Sequence, residues 1–351
     1  MKIIDDITIN KDDIVNSGNP DYELITYSWN LIDICQYKCT YCSAMNFNLH
    51  TFKKRPELEN IWKSVCAKIK LSNTSYAVEI MGGEPTLHPH INDIIDRLGK
   101  QKNCVQVDLI TNLAKPAKFY QKFDTVENIK LTIEASYHPE YSNKKNYIDK
   151  VIELNKSEFI HIFPNINLPD EPKYWEKTKN LIDTFRDASV GVNLNFLQNV
   201  DDGINGKWEV SYSDEFWIYF DEYFKMPGNI INIEPGTGIY NAEKHLKDNA
   251  GTGEMTKNIK YTDKYGKDHY LSEQDINKNK LQGNKGWNCK ALMYTINMDG
   301  TIINSCTGEI IPLTQINKKN LTKCVKCPLE QCSCDVMFLF PKTNPKYAKI
   351  D

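Results

Sequence analysis

Six short β-rich runs alternate with amphipathic segments between residue 22 and about residue 197. The predicted strands cover residues 23–29, 76–81, 105–111, 129–135, 159–165 and 190–196. Helical periodicity marks residues 57–70, 91–100, 147–156 and 174–185 between them. This alternation predicts right-handed βαβ units on a parallel sheet. Six units are fewer than the eight of a closed barrel, so we expect a partial (β/α)6 TIM-like barrel or an open sheet. The carboxyl ends of the strands then carry the chemistry.

The pattern changes after about residue 198, where a turn-rich linker precedes a helix with an aromatic face at residues 214–224. Two hairpins follow, around Tyr265–Gly266 and around Asp299–Gly300, and the second is predicted to have a two-residue turn. These changes divide the chain into four parts. They are an N-terminal extension (1–21), the barrel (22–200), a linker and hairpin region (201–285) and a small cysteine-rich extension (286–351).

Charge and hydropathy argue against several functional classes. The formal net charge is −3 and only three residues are arginine, which argues against a nucleic-acid partner. The sequence has no apolar run long enough to cross a bilayer and no secretory signal at its start, so we expect a cytoplasmic protein without a membrane partner. In that reducing compartment, eleven cysteines indicate metal ligation before disulfides. Cys66 and Cys104, which stand apart from the others, are predicted to be small buried residues.

Three cysteines, Cys35, Cys39 and Cys42, follow the first predicted strand with the spacing C-x3-C-x2-C. Thiolates are the usual ligands of a 4Fe–4S cluster. Three thiolates leave one iron without a protein ligand, and that iron can bind a molecule from solution. A zinc site is the alternative, and it needs a fourth ligand such as His50 or His88.

This spacing, with the aromatic Tyr41 just before the last cysteine, resembles the signature of the radical S-adenosylmethionine (radical SAM) enzymes. The resemblance covers residues 22–200 and implies the partial six-unit barrel. It implies that the open iron binds the amino and carboxylate groups of S-adenosylmethionine. An electron from the cluster then cleaves the sulfonium to methionine and a 5′-deoxyadenosyl radical. It also implies a small reductant protein of the flavodoxin or ferredoxin type as a partner.

A second resemblance to the family lies in the segment MGGEPTLHP, residues 81–89, which follows the second predicted strand. It resembles the motif that receives the methionine amine of the cofactor. Gly82 and Gly83 are expected to let the backbone approach the ligand closely. Glu84 is expected to accept a hydrogen bond from the ammonium group.

Two further strand ends match the family more loosely. Thr111 and Asn112 end the third strand where relatives carry Thr-Asn-Gly, and here Leu113 replaces the glycine. They are expected to line the cofactor pocket, although a structural role is an equal alternative. Ser136, after the fourth strand, is expected near the ribose or carboxylate of the cofactor, with Glu134 and His138 as further candidates for the same pocket.

The remaining cysteines form a second group near the C-terminus. Its members are Cys289, Cys306, Cys324, Cys327, Cys332 and Cys334. With the hairpin that it surrounds, the group resembles the SPASM or twitch extension, which holds auxiliary 4Fe–4S clusters.

Six thiols cannot supply the eight ligands of two complete clusters, so we expect one auxiliary cluster, with a second, incompletely ligated one as the alternative. Its expected ligands are Cys289, Cys306 and two cysteines of the tail, either Cys324 with Cys327 or a pair from Cys327, Cys332 and Cys334. A structural zinc knuckle is the other interpretation of this group.

The sequence therefore predicts a radical SAM oxidoreductase that abstracts hydrogen from a substrate, with a peptide or protein side chain favoured. Only 34 residues precede Cys35, so no leader-binding module is expected there. A dehydrogenase or epimerase of a carbohydrate or amino sugar is the first alternative. An RNA-modifying radical enzyme fits the charge poorly, and a non-catalytic zinc-binding interaction protein is the alternative from another class.

Overall fold

The protein is an α/β chain whose strands form three sheets in the computed structural model. The structure describes residues 10–42, 60–70, 74–125, 130–188, 190–196, 212–223, 231–234, 237–241, 259–271, 276, 281, 283–312, 315–330 and 339–347. The strands are β1 (Ile14–Ser17), β2 (Ile25–Ile32), β3 (Tyr76–Gly82), β4 (Cys104–Thr111), β5 (Lys130–Tyr137), β6 (Ile160–Leu168), β7 (Asn193–Phe196), β8 (Ile231–Glu234), β9 (Thr237–Asn241), β10 (Ile259–Asp263), β11 (Asp268–Leu271), β12 (Asn288–Lys290), β13 (Met293–Ile296), β14 (Ile302–Asn304), β15 (Ile310–Ile311), β16 (Cys324–Lys326) and β17 (Lys342–Thr343). The α-helices are α1 (Ile61–Ile69), α2 (Ile91–Gly99), α3 (Ala117–Tyr120), α4 (Lys144–Leu154), α5 (Pro172–Asp187), α6 (Asp214–Tyr223) and α7 (Lys318–Leu321).

The largest sheet has nine strands in the order β15-β14-β13-β2-β3-β4-β5-β6-β7. Strands β2 to β7 are the six predicted ones, and each pairs in parallel with the next in chain order. The helical predictions are confirmed in α1, α2, α4 and α5, which connect these strands, and in the aromatic α6. Because strands β2 to β7 are parallel, their carboxyl ends lie at one edge of the sheet.

The two faces of this sheet differ in polarity. Val78, Val107 and Ile133 lie on an apolar face and belong to one buried core together with the inward side chains of the connecting helices. The alternate positions form a second surface, which we call the polar face. Its members include Ser28, Glu79, Asp108, Thr132, Glu134, His161, Asn165, Asn167, Asn193 and Asn195. A parallel sheet buried under helices on both sides has near-continuous apolar strands, so these helices cover one face only.

A C-terminal hairpin extends the same sheet beyond β2. Strand β13 pairs in parallel with β2, and β14 and β15 follow it in antiparallel order. The hairpin around Asp299–Gly300 is confirmed, but its two-residue turn is wrong. Asn297 N donates to Thr301 O, so three residues form the loop, and Gly300 closes it with a φ of 80°.

A second, six-stranded sheet has the order β11-β10-β1-β17-β12-β16. All its pairings are antiparallel. It joins residues near the N-terminus to the predicted hairpin around Tyr265–Gly266 and to the tail. Cys66 and Cys104 are 0% and 2% exposed, which confirms that both are small core residues. No helix in the described ranges is both long and apolar enough to span a bilayer.

Leu113, which follows Thr111 and Asn112 at the end of β4, adopts a φ of 55°. A left-handed conformation costs a residue with a side chain about 1–2 kcal/mol. The ammonium of Lys150 on α4 donates to Leu113 O at 2.5 Å and to Ala114 O at 3.4 Å. Burial lowers the pKa of Lys150. The buried lysine thus supplies a hydrogen-bond donor to the carbonyl of a residue in a left-handed conformation.

We predict that Lys150→Met destabilises the protein by about 1–3 kcal/mol, because it leaves the buried Leu113 carbonyl without its donor. Urea unfolding measures the change. Lys145→Met is the matched control, since Lys145 lies on the same helix and its ammonium pairs with Asp149 at the exposed surface. Equal stability of the two variants contradicts the role given to Lys150.

Candidate active site

The three N-terminal cysteines lie on the cysteine loop, residues 33–42, which follows the carboxyl end of β2. Cys39 is buried, while Cys35 and Cys42 are partly buried. Tyr37 N donates to Cys35 Sγ at 3.4 Å, and Asn112 Nδ2 lies 3.6 Å from the same sulfur. Such N–H donors favour the thiolate over the thiol, and the thiolate is the form that binds metal.

The thiols also influence one another electrostatically. Burial, first of all, raises the pKa of Cys35, and the charges of Glu84 and Cys42 raise it further. Burial likewise raises the pKa of Cys39 to about 12, with Glu140, Cys42 and Cys35 adding to the effect. Burial thus favours the uncharged thiol at Cys35 and Cys39, and a bound cation would stabilise their thiolates.

This donor set fits an iron–sulfur cluster better than one metal ion. Among the described residues, no group of three or more His, Cys, Asp or Glu side chains is arranged to hold a single ion. A 4Fe–4S cluster instead takes one thiolate at each of several irons, so its ligands need not meet at one point. His88, one candidate for a fourth zinc ligand, accepts a hydrogen bond from His90 N at 3.2 Å. His50, the other, lies outside the described residues.

The Gly-Gly-Glu turn, residues 82–84, docks on the backbone of the cysteine loop. Gly83 N donates to Ile32 O and Glu84 N donates to Ile34 O, both at 2.6 Å. A Cβ atom on Gly82 would lie 2.1 Å from Ile32 O, and one on Gly83 would lie 2.2 Å from Ile34 O. Glycine is needed at both positions because a side chain would overlap the carbonyls of Ile32 and Ile34. The sequence predicts a close approach of these glycines to a ligand, and the structure shows that they also approach the backbone of Ile32 and Ile34.

Glu84 is fully buried and accepts four hydrogen bonds from Thr86, Thr111 and Asn112. Its Oε1 accepts from Thr86 N at 3.0 Å, from Thr86 Oγ1 at 2.5 Å and from Thr111 Oγ1 at 2.7 Å. Its Oε2 accepts from Asn112 N at 2.7 Å. A carboxylate offers about four acceptor positions. In this arrangement Glu84 joins the ends of β3 and β4, and burial raises its pKa against the lowering effect of these donors.

Asn112 connects this buried network to the cysteine loop. Its Oδ1 accepts from Gln36 Nε2 at 2.9 Å, while its Nδ2 faces Cys35 Sγ. Thr111 also lies 3.3 Å from Tyr120 Oη and is buried. The structure therefore brings Thr111 and Asn112 together with Glu84 and Cys35, as a site at the strand ends requires.

The remaining predicted cofactor residues are Ser136, which is on β5, and Tyr41, which contacts His138 directly after β5. The Tyr41 ring stacks on His138 with an interplanar angle of 8°, and its hydroxyl lies 3.2 Å from His138 Nδ1. Burial lowers the pKa of His138 to about 4. Ser136 lies on the polar face beside Asn165 of β6. His138 was only a secondary candidate in the sequence, yet it contacts a cysteine, as described below.

We did not predict from the sequence that two groups of polar-face residues lie together. Asn193 Nδ2 donates to Asn165 Oδ1 at 3.2 Å and Asn195 Nδ2 donates to Asn167 Oδ1 at 2.7 Å. On the neighbouring strands, Glu79, Asp108 and Glu134 form a group of carboxyl groups. The signal was available, because polar residues at every second position of a predicted strand mark a face that is not apolar.

The described C-terminal cysteines differ in position. Cys289 and Cys327 are buried, Cys306 is partly buried and Cys324 is exposed. In the β12/β16 ladder Cys324 pairs with Lys290, the neighbour of Cys289, so Cys324 and Cys289 lie on opposite faces. Cys332 and Cys334 lie outside the described residues. The geometry thus favours Cys289 and Cys327 over Cys324 for one shared site.

No protein-family model and no curated protein matches the sequence. The chain is similar to solved structures of radical SAM enzymes. One is Streptococcus suis SuiB bound to precursor peptide SuiA, with 13% identity, a TM-score of 0.45, and 93% of this chain and 66% of that chain covered. Another is anSMEcpe with bound AdoMet, with 12% identity, a TM-score of 0.44, and 80% and 74% covered.

A third is BtrN in complex with AdoMet and 2-DOIA, with 13% identity, a TM-score of 0.33, and 58% and 85% covered. Of the SuiB chain named above, this chain covers 66%, which is just under two thirds of its length. Every one of these TM-scores is below 0.5, and the function proposed below rests on the chain's own residues.

We predict that Gly83→Ala destabilises the protein by about 3 kcal/mol or more, because the new methyl group overlaps the Ile34 carbonyl. Gly266→Ala is the control. It places alanine at a φ of 80° with no atom within 4 Å of its Cβ, so its cost is limited to about 1–2 kcal/mol of backbone strain. Chemical denaturation measures both, and a smaller loss for Gly83→Ala contradicts the backbone docking.

We also predict that Glu134 makes the free energy of unfolding depend on pH. Burial first, and then the charges of Glu79 and Asp108, raise the pKa of Glu134 from 4.5 to about 8. An acid with a raised pKa holds its proton more tightly in the folded state. The free energy of unfolding therefore falls as the pH rises from about 5 to about 8. Glu134→Gln removes this part of the slope.

Urea unfolding of the wild type and Glu134→Gln at several pH values in that range measures the difference in slope. The exposed Glu158, changed to glutamine, is the control and is expected to retain the wild-type slope. Parallel pH profiles for the wild type and Glu134→Gln count against the proposed burial of this carboxyl group.

Proposed function

We propose that the chain is a radical SAM enzyme that uses S-adenosylmethionine to abstract hydrogen from a substrate. The observation that carries this proposal is the position of Cys35, Cys39 and Cys42 on one loop, docked on the Gly-Gly-Glu turn at the carboxyl ends of parallel strands. Three thiols held there suit a cluster with one iron left open for a cofactor.

The three cysteines are proposed as the cluster's only protein ligands. When bound, the cluster supplies the electron that cleaves S-adenosylmethionine to methionine and a 5′-deoxyadenosyl radical. The residues around it orient and shield the site. Tyr37 N and Asn112 Nδ2 donate toward Cys35 and stabilise its thiolate. Tyr41 and Ser136 are proposed to line the cofactor pocket beside them.

Glu84 is proposed to support cofactor binding indirectly, by holding neighbouring residues of the site in place. Its four hydrogen bonds, from Thr86, Thr111 and Asn112, fix Asn112 and the Gly-Gly-Glu turn relative to each other. Asn112 and this turn then position Cys35. Thr111 shares this task through its hydroxyl. Gly82 and Gly83 let the turn reach the cysteine loop, so the pocket depends on backbone contact as much as on side chains.

We propose the partial (β/α)6 barrel as the finer description of residues 22–200. Strands β2 to β7 are neighbours in the sheet in the same order as in the chain. Successive strands of a TIM barrel are ordered in the same way. The polar face is then the inner surface, on which a substrate lies below the cysteine loop. The helices cover the outside, where the apolar face is.

The C-terminal extension, residues 286–351, is proposed to hold one auxiliary 4Fe–4S cluster. Cys289, Cys306 and Cys327 are its preferred ligands, because they are buried or partly buried while Cys324 is exposed. A flavodoxin- or ferredoxin-type protein in the cytoplasm is the proposed electron donor.

The proposed substrate is a peptide or protein side chain, with a carbohydrate or amino sugar as the alternative. Both classes provide C–H bonds that a carbon radical can attack, and the polar face offers donors and acceptors to either. The transfer of substrate hydrogen to 5′-deoxyadenosine identifies the class directly, because the abstracted atom stays in the product.

The test is anaerobic reconstitution followed by reduction in the presence of S-adenosylmethionine. We predict about eight irons per chain for two 4Fe–4S clusters, and release of 5′-deoxyadenosine. Replacing Cys35, Cys39 and Cys42 by alanine removes about half of the iron and abolishes the product. Cys66→Ala is the control, because Cys66 is a core residue of α1 outside both groups.

Deuterium-labelled peptides and amino sugars are then supplied in parallel, and the mass of 5′-deoxyadenosine reports which one donates. Deuterium from a sugar overturns the peptide assignment alone. A colourless protein that binds zinc, or 5′-deoxyadenosine release that survives loss of the three cysteines, overturns the radical SAM function.

A further inference from the structure

His138, which directly follows β5, contacts the cysteine loop at its buried cysteine. Its Nδ1 lies 3.4 Å from Cys39 Sγ and 3.2 Å from Tyr41 Oη. Asn167 Nδ2 is 3.5 Å from the same nitrogen. A histidine nitrogen aimed at a cysteine sulfur is in position to form a hydrogen bond with it.

The imidazole is held in this place from several sides. Its ring lies parallel to the Tyr41 ring, with centroids 6.0 Å apart, and meets the Tyr37 ring edge-on at 5.9 Å. His138 N donates to Ser142 Oγ, and the backbone N–H groups of Tyr141 and Ser142 donate to His138 O. These bonds define a tight segment, the 138–142 turn, that limits the movement of the ring.

The 138–142 turn is itself attached to the cysteine loop. Glu140 accepts from Thr40 N at 3.0 Å and from Thr40 Oγ1 at 2.5 Å. Tyr141 Oη donates to Lys38 O at 2.9 Å, and the Tyr141 ring stacks on Tyr37 at 5.2 Å. Contacts on both sides of the pair therefore hold the backbone of His138 close to the cysteine loop.

Metal binding determines the direction of this hydrogen bond. A metal-bound cysteine sulfur is a thiolate, which has no proton and can only accept. In a contact between His138 and a metal-bound Cys39, the donor is therefore Nδ1–H. A hydrogen bond to a cluster sulfur withdraws part of its negative charge, which favours the more negative, reduced form of the cluster.

We propose that His138 is a positioning residue for the N-terminal cluster, which donates a hydrogen bond from Nδ1 to the Cys39 thiolate and raises the reduction potential of that cluster. This inference rests on the proposed function, since it needs a cluster on the cysteine loop. It assigns to the strand end after β5 a role in electron transfer, separate from binding of the cofactor.

The test compares the wild type with His138→Phe and His138→Asn. Phenylalanine keeps a ring to stack on Tyr41 but has no donor. Asparagine keeps an N–H near the position of Nδ1. His90→Gln is the control, because the His90 ring pairs with Asp93 at an exposed position. Iron per chain and circular dichroism are measured first for each variant, and His138→Leu replaces the phenylalanine variant if that one does not fold.

Redox titration of the reconstituted full chain, followed by electron paramagnetic resonance, gives the potential. The N-terminal cluster is the one whose signal changes when S-adenosylmethionine is added. At the wild-type midpoint, we expect the ratio of reduced to oxidised cluster to fall about three- to tenfold in His138→Phe. This equals a negative shift of about 30–60 mV, at about 59 mV per tenfold change. His138→Asn and His90→Gln stay near the wild type.

Pulsed electron paramagnetic resonance provides a second measurement, in the absence of S-adenosylmethionine. Protein labelled with ¹⁵N-histidine is expected to show a weak ¹⁵N coupling to the reduced cluster. The coupling disappears in His138→Phe and remains in His90→Gln. Such a coupling reports the hydrogen bond itself, which a merely structural role of the ring does not produce.

Three outcomes overturn the inference. They are an unchanged potential in His138→Phe, a shift in His138→Asn as large as that in His138→Phe, and a ¹⁵N coupling that survives removal of the imidazole. A wild-type chain with a cluster that responds to S-adenosylmethionine leaves the proposed function standing in each of these cases. A wild-type chain that forms no such cluster overturns both.

Discussion

The site depends on one backbone contact, in which the Gly-Gly-Glu turn after β3 meets the loop after β2. Gly83 N and Glu84 N donate to the carbonyls of Ile32 and Ile34, and no side chain separates the two segments. Because Cys35 directly follows Ile34, the first thiol is placed by this contact. Any cofactor bound at the cysteine loop is therefore positioned by the parallel pairing of β2 with β3.

The buried carboxylate of Glu84 extends the same contact to a third strand. It collects four hydrogen bonds from Thr86, Thr111 and Asn112, and Asn112 then faces Cys35. A buried carboxylate is stable only when such donors satisfy it. His138 supports the loop from the opposite side, at Cys39. The two halves of the cysteine loop thus have separate partners, one made mainly of amides and hydroxyls and the other mainly of aromatic rings.

Much of the fold was predictable, because local patterns determine it. All six strands and the amphipathic helices between them follow from period-2 and period-3.6 patterning, which depends on near neighbours in the chain. The attachment of β13 to the free edge of β2 was not predicted, since strand pairing across more than 260 residues leaves no local signal. The three-residue hairpin loop was also missed, because Asp-Gly fits more than one turn type.

The sequence by itself determined which residues gather at the site, since Cys35, Cys39, Cys42, Glu84 and Asn112 all follow predicted parallel strands whose ends must meet. Only the tertiary structure decided what each one touches. Glu84 binds the chain's own donors, the glycines approach another backbone, and His138 lies at a cysteine 99 residues away in sequence. The physical reason is that hydrogen-bond partners are set by distances of about 3 Å between segments far apart in the chain. A local sequence pattern constrains the direction of a side chain, and only the folded chain brings its partner within reach.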